Sequence, residues 1–256
     1  MKNLNIAVLL AAVVISAVYV SCNGIPVKGN GNLVTFERTV LEFEKINSSV
    51  DAEVRFHAGK EYRIVITVDS NLEEYVEIET KNNVLNIRTQ NGSYLFTKFL
   101  VDVYCPVLKG VSISGSGSFS GNDKIIAASF EAIISGSGSI NGIIECDDYT
   151  VNISGSGKVN VSITCNNLSA DLSGSGNIII TGTGNNSNVR ISGSGKFNGI
   201  DYKSNNVTAR ISGSGNMNIW AVESINAIIS GSGSIKYRGT PKIDFNGSGS
   251  GQIRSE

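Results

Sequence analysis

Acid–base or nucleophilic chemistry needs histidine, cysteine or paired carboxylates held close together, and this chain offers few of each. Its single histidine, His57, precedes Ala58-Gly59-Lys60, which places it at the end of an expected hairpin with no marked nucleophile beside it. Asp147 and Asp148 are adjacent, but the equivalent turn one repeat later carries Asn166 and Asn167, so the pair reads as turn formers rather than catalysts. Asp171, Asp201 and Asp244 fall at unrelated offsets. Trp220, Tyr202 and Tyr237 could stack on a sugar, yet their offsets also differ, and core or isolated surface positions suit them better. Cys146 and Cys165 stand 19 residues apart, each at the same place in its repeat. Stacked strands lie about 4.8 Å apart, so a disulfide is within reach. Side chains in register point the same way, which favours a column of buried thiols. A metal site would need partners that neither cysteine has.

The elements that carry these residues are set by one tetrapeptide. Ser-Gly-Ser-Gly begins at Ser114, Ser135, Ser154, Ser173, Ser192, Ser212, Ser230 and Ser248, at steps of 21, 19, 19, 19, 20, 18 and 18 residues. A glycine-rich phosphate loop or a nucleophile elbow does not recur eight times at such spacing. A coil of a solenoid does. Aligned on the first serine, position −3 runs from Val111 to Phe245, position −1 from Ile113 to Ile229, and position +5 from Phe119 to Ile253. All three columns are apolar in every coil except for Gly247 at −1 in the last. Counting by twos then places both glycines of each motif inward and both serines outward, as two hydroxyl ladders. A partial asparagine column at +6 (Asn141, Asn160, Asn198, Asn218) reads as packing. The fold class expected is all-β, a right-handed parallel β-helix with coils of 18–21 residues. Eight coils would make a rod about 38 Å long.

Residues 33–110 have another texture, with 21 charged residues between Glu37 and Lys109 against 20 from Gly110 to Glu256. Val54 and Phe56, then Gly59-Lys60, then Tyr62, Ile64, Ile66 and Val68 alternate as a hairpin would. Val76–Glu79 and Leu85–Arg88 flank a turn at Lys81-Asn82-Asn83, and Val101–Tyr104 is a further strand closed by Pro106. Residues 69–75 could form one helical turn. These strands are expected to cap or extend the rod, whose edges would otherwise be exposed at both ends. The division expected is a signal peptide at 1–21, a linker at 22–32, the strand region at 33–110 and the repeats at 111–256.

Lys2 followed by the apolar run Ile6–Val20 has the form of an export signal rather than a membrane span. Ser21-Cys22 at its end resembles a bacterial lipoprotein cleavage site, with Cys22 lipidated, although Tyr19 stands where an aliphatic residue is usual. Net charge is −1, from 21 basic and 22 acidic residues, with no basic stripe to hold nucleic acid.

Three motifs in order carry a family resemblance: Tyr62-x-Ile64-x-Ile66-x-x-Asp69-x-Asn71-Leu72, then Val101-x-Val103-x-x-Pro106-x-Leu108, then Ser114-Gly115-Ser116-Gly117. Over residues 33–254 the chain resembles the head-GIN auto-transporter adhesin family. That resemblance implies a β-helical, often lipid-anchored bacterial surface protein, and it brings no catalytic or binding residues with it. The expected function is a non-enzymatic scaffold at the outer membrane or cell surface, without cofactor, that binds a surface glycan or protein through its wall. The alternative is a carbohydrate-active β-helix, which would need two or three carboxylates gathered on one wall.

Overall fold

The computed structural model describes residues 25–256. Alternation of apolar and polar residues turns most of them into strands, and the repeats stack them in parallel. Each coil places one wall before its Ser-Gly-Ser-Gly corner and a second wall after it. The repeat strands are β10 (Gly110–Gly115), β11 (Ser118–Gly121), β12 (Ile125–Ile126), β13 (Ser129–Gly136), β14 (Ser139–Glu145) and β15 (Asp148–Gly155). They continue as β16 (Lys158–Gly174), β17 (Asn177–Gly193), β18 (Lys196–Gly213), β19 (Asn216–Gly231), β20 (Ser234–Arg238), β21 (Lys242–Gly249) and β22 (Gln252–Ser255).

The register is the one the columns require. Ile113 lies opposite Ile134, then Ile153, Leu172, Ile191, Ile211 and Ile229 on successive coils. On the second wall Phe119 begins the column that ends at Ile235 and Ile253. Ile153, Val151 and Val159 are buried while Ser154 and Ser156 are exposed, so the inward and outward assignment holds for the aliphatic and serine columns. The two glycines act differently. The second is inward and buried, and a Cβ on Gly157 would lie 2.5 Å from Ile134 Cγ2 of the coil below. The first is not an inward residue. Gly155 is half-buried at φ +122°, and its Cβ would meet the Gly136 carbonyl oxygen at 2.6 Å, so backbone conformation and coil spacing both require glycine there.

The strands before the repeats are β1 (Val27–Lys28), β2 (Leu33–Thr39), β3 (Lys45–Ser48), β4 (Glu53–Ala58), β5 (Arg63–Asp69), β6 (Val76–Lys81), β7 (Val84–Thr89), β8 (Tyr94–Leu95) and β9 (Phe99–Cys105). Two further rungs come from this region, out of chain order. β3 and β4 pair in parallel with β10 and β11, and on their other side β7 and β9 pair in parallel with β3 and β4. Antiparallel strands then close the end: β6 on β7, β5 on β9, and β2 on β5. The region thus both extends and caps the rod, and one apolar core runs from Phe43 to Ile235. The turn at Asn82-Asn83, at φ 53° and 60°, makes the expected β6–β7 hairpin, and Glu73–Tyr75 forms one 3-10 turn. The hairpin expected across Gly59-Lys60 does not form. β9 lies between β4 and β5, pairing with both, because Val101 and Val103 fit the column of Val54 and Phe56 as well as that of Ile64 and Ile66.

Candidate functional site

The outer face of the wall before the corners is the surface on which the repeats act together. Its columns there follow β-strand spacing, with Ser112, Ile133, Asn152, Asp171, Arg190 and Arg210 in one row and Thr150, Ser169, Asn188 and Thr208 in the next. Three open grooves, of about 470, 400 and 320 Å³, lie on this face. The first lies over Lys45, Asn86 and Glu131, and meets the second at Ile133; the second spans Asn152 to Arg190. The third is floored by Thr150, Ser169, Asn188 and Thr208. Asn188 Oδ1 is buried in that floor and has no hydrogen-bond partner among the described residues.

Asp147 and Asp148 border this wall as the feet of two side-chain ladders. Asn166 Nδ2 donates to Asp147 Oδ1 at 2.9 Å, Asn185 donates to Asn166 at 2.8 Å, and Asn205 donates to Asn185 at 3.3 Å. Beside it, Asn167 donates to Asp148 at 2.9 Å and Asn186 to Asn167 at 3.1 Å, while Ser224 donates to Asn206 at 2.6 Å. Each carboxylate accepts an amide hydrogen bond from the next coil, as a structural turn residue does. The Asn-Asn dipeptides at 166, 185 and 205 are the sequence signal for these ladders. The +6 column makes one such bond, Asn218 to Asn198 at 3.4 Å.

His57 is not at a hairpin end. It projects from β4 next to β9, with Nε2 2.8 Å from Asp102 Oδ1 and its ring stacked 4.7 Å from that of Tyr104. The Arg63 guanidinium lies 3.9 Å from the centre of the same Tyr104 ring. This row of three side chains ties β5, β9 and β4 together, and no serine or cysteine hydrogen-bonds His57 among the described residues.

Cys105, Cys146 and Cys165 are free and buried. Burial pushes the Cys105 and Cys146 thiols up to about 12 and raises that of Cys165 as well, so none supplies a thiolate nucleophile near neutral pH. Cys165 Sγ lies 3.3 Å from the Tyr202 hydroxyl two coils on. The intervening coil leaves a passage at Gly184, where a Cβ would fall 1.9 Å from that hydroxyl. Tyr202 is therefore core. Trp220 lies under Lys203 and Arg238, at 5.8 and 5.4 Å, and Tyr237 packs against the core, so the three aromatics form no shared platform. Cys22 lies outside the described residues.

A site that spacing could not show is centred on Asp69, which is fully buried. Its carboxylate accepts hydrogen bonds from Gly31 N (2.8 Å), Thr97 N (2.8 Å), Thr97 Oγ1 (2.5 Å) and Lys98 N (3.4 Å). Burial opposes its ionisation, but these donors outweigh burial and hold its pKa below the ordinary carboxylate value. Asn71 adds bonds to Asn30 N at 2.9 Å and Lys28 O at 2.8 Å. Asp69 and Asn71, both in the first family motif, thus bind the segment that leads from the N-terminus onto the cap.

Solved structures share this architecture. A crystal structure of a putative adhesin from Parabacteroides merdae is 26% identical, with a TM-score of 0.86 over 90% of this chain and 98% of that one. A protein from Parabacteroides distasonis described as a putative lipid binding protein is 28% identical, with a TM-score of 0.86 over 91% and 100% of the two chains. A putative adhesin from Bacteroides fragilis, 23% identical with a TM-score of 0.70 over 90% and 100%, shares the fold. Comparison with curated protein sequences gives no match. The motif order, the capped stack and a sequence match over residues 42–241 agree, and the chain belongs to the family described as "Putative auto-transporter adhesin, head GIN domain".

Proposed function

We propose that the protein is a non-enzymatic, adhesin-like scaffold of the bacterial surface, anchored through lipid on Cys22, and that its grooved outer wall binds an extended glycan. The observation that carries this reading is the set of three open grooves on one wall, lined by hydroxyls, amides and single charges among aliphatic side chains at strand spacing. An extended polymer meets a polar side chain on most successive rungs, so weak individual bonds add through multivalency. The adhesin description of the Parabacteroides merdae relative supports the reading. The lipid-binding description of the other Parabacteroides relative marks a lipid as the competing ligand for this wall, whose grooves expose more apolar than polar surface. The carbohydrate-active alternative loses its best carboxylate pair to the ladders at Asp147 and Asp148.

A glycan array and pull-down from intact cells test this proposal, with Asn188→Ala and Thr208→Ala on the wall as controls. Glycan binding that falls about tenfold in the double variant supports it, a loss of about 1.4 kcal/mol. Capture of a protein but no glycan, or binding indifferent to the wall, overturns the glycan assignment. Turnover of a glycan, abolished by Asp147→Asn or Asp148→Asn, overturns the scaffold reading itself.

A further inference from the structure

The two ends of the stack are finished differently. At the cap, β6 carries Glu77 and Glu79, both paired with Arg88, and β2 and β5 cover the rung beneath them. Paired charges of this kind blunt an edge against association. At the other end β21 pairs only with β19 and β22 only with β20, and no described strand meets their outer edges. Every residue of β21 is exposed. Ile243 and Phe245, in columns whose members one coil earlier are Ile225 at 1% and Ala227 at 0% exposure, are 37% and 40% exposed. An unpaired strand beside an uncovered apolar core is a template for another strand.

We propose that this end docks on the same end of a second copy, forming a closed two-fold dimer in which β21 pairs antiparallel with its counterpart about Phe245. The sequence of the edge is self-complementary in that register. Phe245 faces Phe245, and Ile243 faces Gly247, the one position of the −1 column without an aliphatic side chain. On the outer side Asp244 faces Asn246 and Asn246 faces Asp244. That amide-on-carboxylate contact is the one the rod itself uses between Asn166 and Asp147 and between Asn167 and Asp148. Lys242 faces Ser248, so no like charges are opposed. A two-fold contact uses the same patch twice and closes, whereas end-to-cap stacking would grow without limit and would set β21 against the charged edge of β6.

The register makes an isosteric test available, read by sedimentation equilibrium of the full chain in a density-matched detergent. The unaltered protein should show twice the monomer mass. Asn246→Asp opposes carboxylates at two symmetric positions and should weaken dimerisation about tenfold. Adding Asp244→Asn to that variant restores one amide opposite each carboxylate and should restore the dimer. Circular dichroism melts of both variants separate lost docking from lost folding. A monomer at all concentrations, open-ended growth, a dimer indifferent to Asn246→Asp, or failure of the second substitution to rescue would each overturn the proposal. None of these outcomes bears on glycan binding by the wall.

Discussion

At Gly155 a single hydrogen atom in place of a side chain decides whether two coils can approach. Gly155→Ala combines a backbone conformation that L-residues avoid with a 2.6 Å contact to the Gly136 carbonyl, and should cost of order 1–3 kcal/mol or more in a urea melt. Ile153→Asp, at 2% exposure, places an unpaired charge in the same core and should cost more, roughly 4 kcal/mol. Ser156→Ala, on the exposed ladder next to Gly155, should change stability by less than about 0.5 kcal/mol. Equal effects at Ile153 and Ser156 would refute the inward and outward register. Asp69 offers a different test, through pH. Its folded-state pKa lies below the unfolded value of about 3.9, so its contribution is full above that value and is lost as pH falls through the folded pKa. Asp69→Asn should therefore destabilise by about 2 kcal/mol at neutral pH, and its deficit against the unaltered protein should shrink in strongly acidic solution. A deficit independent of pH would mean that shape, not charge, holds the latch.

The repeat coils are legible in sequence because each announces its corner with the same four residues and its core with the same three columns. The rungs at β3–β4 and β7–β9 are not, because their corners lack the motif. Val50 to Ala52 serves at one of them, and a Cβ on Gly117 would sit 2.5 Å from Val50 O. Alternation reports which face of a strand is buried and is silent on its neighbour, so β4 and β5 read as partners although β9 separates them. The same limit hid the pairing of His57 with Asp102, residues 45 apart that meet only because rungs are stacked out of order. The asparagine ladders were open to view as recurring Asn-Asn pairs. Asn167→Ala removes the bonds to Asp148 and from Asn186, and should cost about 0.5–1.5 kcal/mol by denaturant melt. Gly184→Ala should cost more, because the Tyr202 hydroxyl already occupies the space, and Tyr202→Phe in the same chain should recover part of the loss. No recovery would place the strain elsewhere.

As a whole the molecule is a rod with a latched, capped end and an open one. The proposed anchor belongs at the latched end. Mass spectrometry of the mature protein from its host should find a diacyl or triacyl group on Cys22, and an unmodified N-terminus elsewhere would rule the anchor out. The stacking order also decides how the chain can assemble in time. Within the rod each strand meets a neighbour one coil away in sequence, as Ile134 meets Ile153, so every new coil can be laid on one already formed. The rung at β3–β4 has no such luxury. Its partners on one side begin with Gly110, which pairs with Lys45, and on the other with Val84, so it must wait for chain that emerges much later. Closing those long loops is the costly entropic step, and elongation beyond β10 is local and fast. Core substitutions at Ile46 or Val101 should therefore slow refolding, whereas equivalent ones at Ile211 should chiefly hasten unfolding. A chain that emerges N-terminus first thus carries its foundation unfinished until its first repeat arrives to complete it.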